Sequence, residues 1–375
     1  MKLKKRVVSA FVAVMLLLTQ PAMAMDFIIT MTGTASDTSV KGATVLVVNQ
    51  GTDLDTVGLS DVLHIDQVDL EADGSFKFLL PFSLDGEYDV YSNMNDFTLG
   101  EFEKTKVLYV SETGSDENSG ETANSPLATL NKAYESLWEL KEIVVSGTVA
   151  YTDAPAYEDE LIISGTDGAV LTLPSTVSLN GALSIDNVKL SGASNIYANG
   201  NKLYIGKNVT TDALLNVYGG CETDELTGDT DITILGGSYN KIYGGGKATV
   251  NGNTNVTIGG TVNAGQTTGD GDSNAIYFYG GGVNAVVTGK TNITFKDSAK
   301  VTKLYGAGSG EHGTASETNV YIQGGSVMNV FGGGPTAALT DAETNVTITG
   351  GTAEAIFGGN ENAQMNGHAY VNLFG

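Results

Sequence analysis

The sequence predicts an all-β protein: a small β-sandwich, then a right-handed parallel β-helix solenoid that opens on a short capping helix. Two repeated phrases and one absence carry that expectation. The first phrase, an apolar residue, an aromatic and then glycine, occurs as Val217-Tyr218-Gly219-Gly220, Ile242-Tyr243-Gly244-Gly245, Phe278-Tyr279-Gly280-Gly281, Leu304-Tyr305-Gly306-Ala307, Val330-Phe331-Gly332-Gly333 and Ile356-Phe357-Gly358-Gly359. Successive copies start 25, 36, 26, 26 and 26 residues apart, the spacing of one stacked unit. The long interval exceeds its neighbours by the ten residues Gly265 to Asn274, all turn chemistry, which read as a loop grown out of one coil.

The second phrase runs out of phase with the first: Asp231-Ile232-Thr233-Ile234, Asn255-Val256-Thr257-Ile258, Asn292-Ile293-Thr294-Phe295, Asn319-Val320-Tyr321-Ile322 and Asn345-Val346-Thr347-Ile348, with weaker copies at Lys202 to Ile205 and Tyr370 to Leu373. Alternation with period two makes these strands, Val and Ile inward and Asn and Thr outward. Glycine pairs follow at Gly236-Gly237, Gly259-Gly260, Gly324-Gly325 and Gly350-Gly351. What is absent within the repeats is any stretch free of β-branched residues and glycine pairs long enough for a stable helix. Each unit is therefore a coil of short strands with glycine corners, and successive coils pair in parallel about 4.8 Å apart.

In chain order, residues 1–24 read as a signal peptide. Lys2, Lys4, Lys5 and Arg6 form its basic start, Val7 to Leu18 its apolar stretch, and Ala22-Met23-Ala24 its cleavage site. The apolar stretch is shorter than the roughly 20 residues that span a bilayer. A mature protein starting near Met25 is expected, secreted or held in the cell envelope. The whole chain has 19 Lys+Arg and 43 Asp+Glu; without the four basic leader residues the balance is 15 against 43, or −28. Such a surface repels phosphate backbones and anionic headgroups, which argues against nucleic acid and membrane surfaces as partners. Cys221 is the sole cysteine, so no intramolecular disulfide supports the fold.

Residues 25–106 carry short strand-like runs: Phe27 to Ile29, Ala43 to Val48, Val62 to Ile65, Ser75 to Leu80 and Tyr88 to Tyr91. Asp73-Gly74, between Val68-Asp69-Leu70 and Phe76-Lys77-Phe78, is a hairpin signal. The stretch resembles the immunoglobulin-like or carboxypeptidase-regulatory-like modules of bacterial surface proteins. Residues 107–142 then give a lead-in strand, a loop and a helix: Tyr109-Val110-Ser111, Gly114, Asp116, Asn118, Gly120 and Ser125-Pro126-Leu127-Ala128-Thr129-Leu130-Asn131-Lys132-Ala133. Ser125 is expected as N-cap and Pro126 as first helical residue, with Leu127, Leu130, Tyr134, Leu137 and Trp138 as the apolar face that covers the first coil. This segment resembles the opening of secreted β-helix proteins of the pectate-lyase-like superfamily. In residues 143–375, the helix itself, Val149, Leu161 to Ile163, Ala169 to Leu173 and Leu183 to Leu190 are candidate irregular rungs before the regular repeats.

The resemblance implies either a binding protein or a polysaccharide-degrading lyase or glycoside hydrolase. Lyases of that family use calcium and a basic side chain, commonly arginine, yet Arg6 is the only arginine here. The related hydrolases use closely placed aspartates and a Gly-His-Gly turn, which Glu311-His312-Gly313 and Gly367-His368-Ala369 do not match. No catalytic residue is assigned. Calcium is the one cofactor with candidate ligands, at Asp69, Glu71 and Asp73 and at Asp116 and Asn118; the alternative is a hairpin turn and a solvated loop. Tyr218, Tyr243, Tyr279, Tyr305, Phe331 and Phe357 form one column. If the apolar residue before each faces inward, alternation sends the rings outward as a sugar platform; the alternative is self-stacking. The aligned asparagines suit an amide ladder between rungs. The expectation is thus a non-catalytic, adhesin-like surface protein whose partner is polysaccharide or another cell-surface protein, with self-association through an open C-terminal coil.

Overall fold

The computed structural model describes residues 2–7, 29–35, 42–49, 51–53, 57, 62–71, 73–80, 87–92, 97–101, 106–137, 140–157, 159–263 and 275–374. The chain is all-β and divides into two compact units, the first built mainly of Met1–Thr105 and the second of Lys106–Ser136, Leu140–Pro155 and Asp159–Gly375.

The first unit holds two sheets. One has the order Lys2–Val7, Glu87–Ser92, Gly42–Asn49, Val62–Asp69, and the other Ser75–Leu80, Ile29–Ala35, Phe97–Glu101. Gly42–Asn49 is central in its sheet and apolar on both faces, so Val45, Leu46, Val47 and Val48 are all buried. The hairpin reading at Asp73-Gly74 is corrected. The turn is present, with Gly74 at φ 84° and Asp73 Oδ1 accepting from the Ser75 amide at 2.9 Å. However, Val62–Asp69 pairs with Gly42–Asn49, whereas Ser75–Leu80 pairs with Ile29–Ala35. The turn passes the chain from one sheet to the other. Lys2–Val7 lies parallel to Glu87–Ser92; the rest of the expected leader falls outside the described residues.

In the second unit every strand pairing is parallel. Its inward column runs Leu108, Ile143, Ile163, Ile185, Ile205, Ile234, Ile258, Phe295, Ile322, Ile348, Leu373, one residue per rung. A second column, Leu161, Leu183, Leu203, Ile232, Val256, Ile293, Val320, Val346, Val371, runs beside it. The members from Leu108 to Ile322 and from Leu161 to Val346 are 0–4% exposed, Ile348 is half-buried, and Thr257 and Thr294 face outward between the columns. Eleven rungs at the usual spacing make a solenoid ~48 Å long. Where a glycine pair turns the corner after this strand, the second glycine takes the left-handed conformation: Gly237 at φ 88°, Gly260 at 53°, Gly325 at 78°, Gly351 at 81°. The coil that lacks the pair puts Asp297 there at φ 59°. The expected loop Gly265 to Asn274 lies outside the described residues.

The short helix is Leu130–Tyr134, not a helix starting at Pro126, and its N-cap is Thr129, whose Oγ1 accepts from the Lys132 amide. The upstream backbone is committed elsewhere. Leu127 exchanges bonds with Tyr109 and Ser111 of the first rung, donating to one carbonyl at 2.8 Å and accepting from the other amide at 2.9 Å, so it cannot turn into a helix. Leu130, Ala133 and Tyr134 are buried, Leu137 is 8% exposed, and Trp138 is outside the described residues. The second rung begins at Leu140, three residues before the sequence-based boundary at 143.

Candidate functional site

The aromatic column is where the sequence concentrated its candidate ligand contacts. Register places Tyr197, Tyr218, Tyr243, Tyr279, Tyr305, Phe331 and Phe357 on one another, rung by rung. Ring centroids are 4.6, 5.4, 4.5, 5.0, 5.1 and 4.7 Å apart, with planes within 13° of parallel. Of the two alternatives the structure shows self-stacking and not the outward platform: the first six rings are 1–7% exposed, and of the seven only Phe357, at 46%, is open. Alternation fails because each aromatic is the last residue of its strand, where the chain turns the corner and folds the ring against the coil. Val217, Ile242, Phe278, Leu304 and Val330, one residue earlier, are buried as well. Tyr197 was missed as a member because Ala198-Asn199-Gly200, not a glycine pair, follows it.

The glycine after each ring is fixed by a close approach. A Cβ on Gly244 would lie 2.1 Å from the Gly280 carbonyl oxygen, on Gly280 2.3 Å from that of Gly306, and on Gly306 2.1 Å from that of Gly332. Each of these carbonyls is also gripped from within its own coil. Thr230, Thr254, Thr291, Thr318 and Thr344 donate their hydroxyls to the carbonyls of Gly244, Gly280, Gly306, Gly332 and Gly358 at 2.5–2.7 Å. All five threonines are fully buried. This clamp ties the start of one strand to the end of the next across the coil. Its signal was legible as a threonine before each Asp or Asn of the second phrase.

Two lysine–glutamate pairs flank the ring stack. Lys247 Nζ lies 2.7 Å from Glu222 Oε1 and 5.4 Å from the Tyr197 ring, and the Tyr197 hydroxyl donates to the same carboxylate at 3.0 Å. Lys303 Nζ lies 2.8 Å from Glu361 Oε1, with the Tyr305 hydroxyl 2.5 Å from Oε2 and Tyr277 edge-on to Tyr305. The Lys247 bond, then the Tyr197 bond, hold the Glu222 carboxyl below its ordinary range. Burial pushes the Tyr218, Tyr243 and Tyr279 phenols up. Burial followed by donation to Glu361 does the same to Tyr305. These phenols stay protonated and neutral.

The candidate calcium loops use their oxygens internally. Asp73 Oδ1 serves Ser75; Asp116 accepts from the Ala128 and Thr129 amides and the Thr129 hydroxyl; Asn118 donates to the Pro126 carbonyl. Asp69 and Glu71 are exposed. Among the described residues no three His, Cys, Asp or Glu side chains are grouped to hold a metal. The aspartate and asparagine of the second loop brace the turn that leads to Thr129.

The outer face of the repeated strand is different in kind. Asn292 donates to Asn255, Asn319 to Asn292 and Asn345 to Asn319, at 3.0–3.1 Å, an amide ladder running along the axis. Beside it runs a row of hydroxyls, Tyr204, Thr233, Thr257, Thr294, Tyr321 and Thr347, in register coil by coil. Among the described residues no helix is long and apolar enough to cross a membrane. Comparison of the chain with known protein families, curated proteins and solved structures finds no match.

Proposed function

We propose that the protein is a non-catalytic, adhesin-like surface protein whose right-handed β-helix is a stiff stalk that holds glycan at the cell envelope. The observation that carries this reading is the continuity of the two inward columns, whose members succeed one another without a break along the solenoid. Coils so matched resist bending and present a long lateral surface. Much of the polar and aromatic complement supports that continuity: rings stack, buried threonines clamp glycine carbonyls, and Asp73 and Asp116 brace turns. The basic, apolar and small-residue segments of residues 1–24 support export by a cleaved leader. The lead-in segment supports kinship with pectate-lyase-like β-helices, and the strand runs of residues 25–106 an immunoglobulin-like module.

The test is made on the exported protein. Antibody labelling of intact cells and N-terminal sequencing should find it outside the cytoplasm and starting near Met25. The purified protein should be retained on polysaccharide without releasing reducing ends or unsaturated uronides. Release of either product would replace this reading with the lyase or hydrolase one.

A further inference from the structure

We propose that the hydroxyl row on the outer face of the repeated strand is the glycan site, a strip that takes an extended neutral sugar chain along the solenoid axis; this rests on the glycan-binding reading above. Each of six successive coils contributes one hydroxyl to the row, from Tyr204 through Thr233, Thr257, Thr294 and Tyr321 to Thr347. The same strands carry a second threonine column, Thr230 to Thr344, whose hydroxyls are all buried and bonded to glycine carbonyls. The outer hydroxyls are half-buried or exposed, and among the described residues they have no hydrogen-bond partner in the protein. One column is consumed by the fold and the other is left over. Such hydroxyls, able to donate and accept, match the hydroxyls of a sugar chain.

Beside four of the six rungs the neighbouring outward residue is an asparagine of the amide ladder, and beside Tyr204 and Thr233 it is Lys202 and Asp231. Asn319 donates to Asn292 and to Glu317 and accepts from Asn345, so its amide is filled from three sides. The row itself carries no charge in a chain of net charge −24. An acidic polymer would meet the repulsion of the whole molecule, and nucleic acid likewise. A peptide strand is excluded as occupant for another reason. It would need unpaired backbone groups at a sheet edge, and here the rungs above and below already take them. A neutral sugar needs only hydroxyls and an aromatic face. Tyr321 is 37% exposed, whereas the stacked rings Tyr197 to Phe331 are closed off. Tyr204 stands four rungs before it, ~19 Å away at the usual rung spacing. Tyrosine rings at these two rungs, with threonines between, would hold a chain by stacking near each end and by hydrogen bonds in the middle.

The full chain is tested against neutral oligosaccharides of increasing length, from xylan, cellulose and mannan, with polygalacturonate as the acidic control. Affinity should rise with length and level off once the sugar spans the strip. Tyr321→Ala should weaken binding roughly tenfold, as expected for a lost stacking contact. The double change Thr257→Val and Thr294→Val keeps the branched shape, and should weaken binding further at unchanged melting temperature. If Tyr321→Ala disturbs the fold, Tyr321→Thr installs the residue its own column uses elsewhere and still removes the ring. Unchanged affinity in these variants would overturn the strip while leaving glycan binding standing. Equal binding of polygalacturonate would overturn the neutral class. Failure of the unaltered chain to bind any neutral oligosaccharide would overturn both the strip and the glycan-binding reading.

Discussion

The coils between 140 and 211 and those between 226 and 357 continue the same inward columns, yet they differ in which fasteners repeat. Asp229 and Asp297 still serve singly in the later coils, accepting from the Asn253 and Gly260 amides. Early coils use carboxylates: the Ser164 hydroxyl donates to Glu142, Ser184 to Glu160, Ser191 to Asp212, and the Ser178 amide to Asp153. Later coils use neutral groups repeated in register, the threonine clamp, the asparagine ladder and the ring stack. The difference has an electrostatic reason. A column of carboxylates one rung apart would repel itself, whereas amides, hydroxyls and rings gain from identical neighbours. Where two carboxylates do align, Glu317 and Glu343, Lys290 stands on the preceding rung, 2.7 Å from Glu317. Neutral fasteners can therefore be copied from coil to coil, and charged ones have to be placed singly. Sequence periodicity is the visible trace of the first strategy.

The sharpest way to break this comparison is along the aromatic column itself, because the register carries it from the later coils back to Ser178. Tyr279→Ala removes a buried ring stacked on both sides and should cost about 3–5 kcal/mol. Gly280→Ala should be of similar severity, since its methyl would collide with the Gly306 carbonyl oxygen. Ser178→Ala, at the same column one rung before the stack begins, removes one acceptor for Asn199, which keeps the Leu179 carbonyl at 3.0 Å. Its effect should stay within about 1 kcal/mol. Thermal or denaturant melts of the three variants decide it. Comparable losses at Ser178 and Tyr279 would mean that the stack adds nothing beyond ordinary rung packing.

A smaller effect separates two threonine columns within the later coils. Thr291→Val strips the Gly306 carbonyl of its buried donor and should cost about 1–3 kcal/mol. Thr294→Val, three residues on and facing outward, should lie within roughly 0.5 kcal/mol of zero. Equal costs would show that the clamp is incidental to stability.

That pair also shows which parts of the molecule could be read in advance. Period-two alternation identified Ile232, Val256, Ile293, Val320 and Val346 as one inward column, because burial of one strand face leaves a mark at every second residue. The clamp threonines sit one residue before each copy of the strand phrase, and the phrase was drawn one residue too short. The ring orientation could not be had from alternation, which governs strand interiors and not the residue that turns a corner. Ser125-Pro126 looked like a helix start because local capping rules cannot see the pairing of Leu127 with a strand eighteen residues earlier. The alternative to calcium, a hairpin turn and a loop, has local support at Asp73, which accepts from the Ser75 amide two residues on. The acceptance of Asp116 from the Ala128 and Thr129 amides spans twelve and thirteen residues and needed the fold. The hydroxyl strip was visible as Thr257, Thr294 and Thr347; its extension to Tyr204 needed the register.

The smallest expected effect belongs to the early coils and depends on pH. Asp212 accepts from the Gly192 amide and the Ser191 hydroxyl and sits 3.2 Å from Lys189. The Gly192 bond first, then that of Ser191, lower its carboxyl to about 2. Because the folded value is depressed, the stabilisation is complete above the ordinary carboxylate value of 3.8 and is lost as pH falls through about 2. The threonine clamps and the amides of the ladder carry no proton that titrates in this window. The later coils' counterpart to Asp212 is Glu317 beside the ladder, held down by its bond to Lys290 and then to Asn319. Acidification from pH 5 towards pH 2 should therefore loosen the coil around Lys189–Ser191 before the coils from Val287 onward. Amide hydrogen exchange can follow both regions in one sample. Asp212→Asn should lower protection at Gly192 near neutral pH and flatten its response to acid, leaving the clamp amides unchanged. If both regions loosened together in the unaltered protein, the solenoid would be one cooperative unit, and the contrast between charged and neutral fastening would have no consequence for stability.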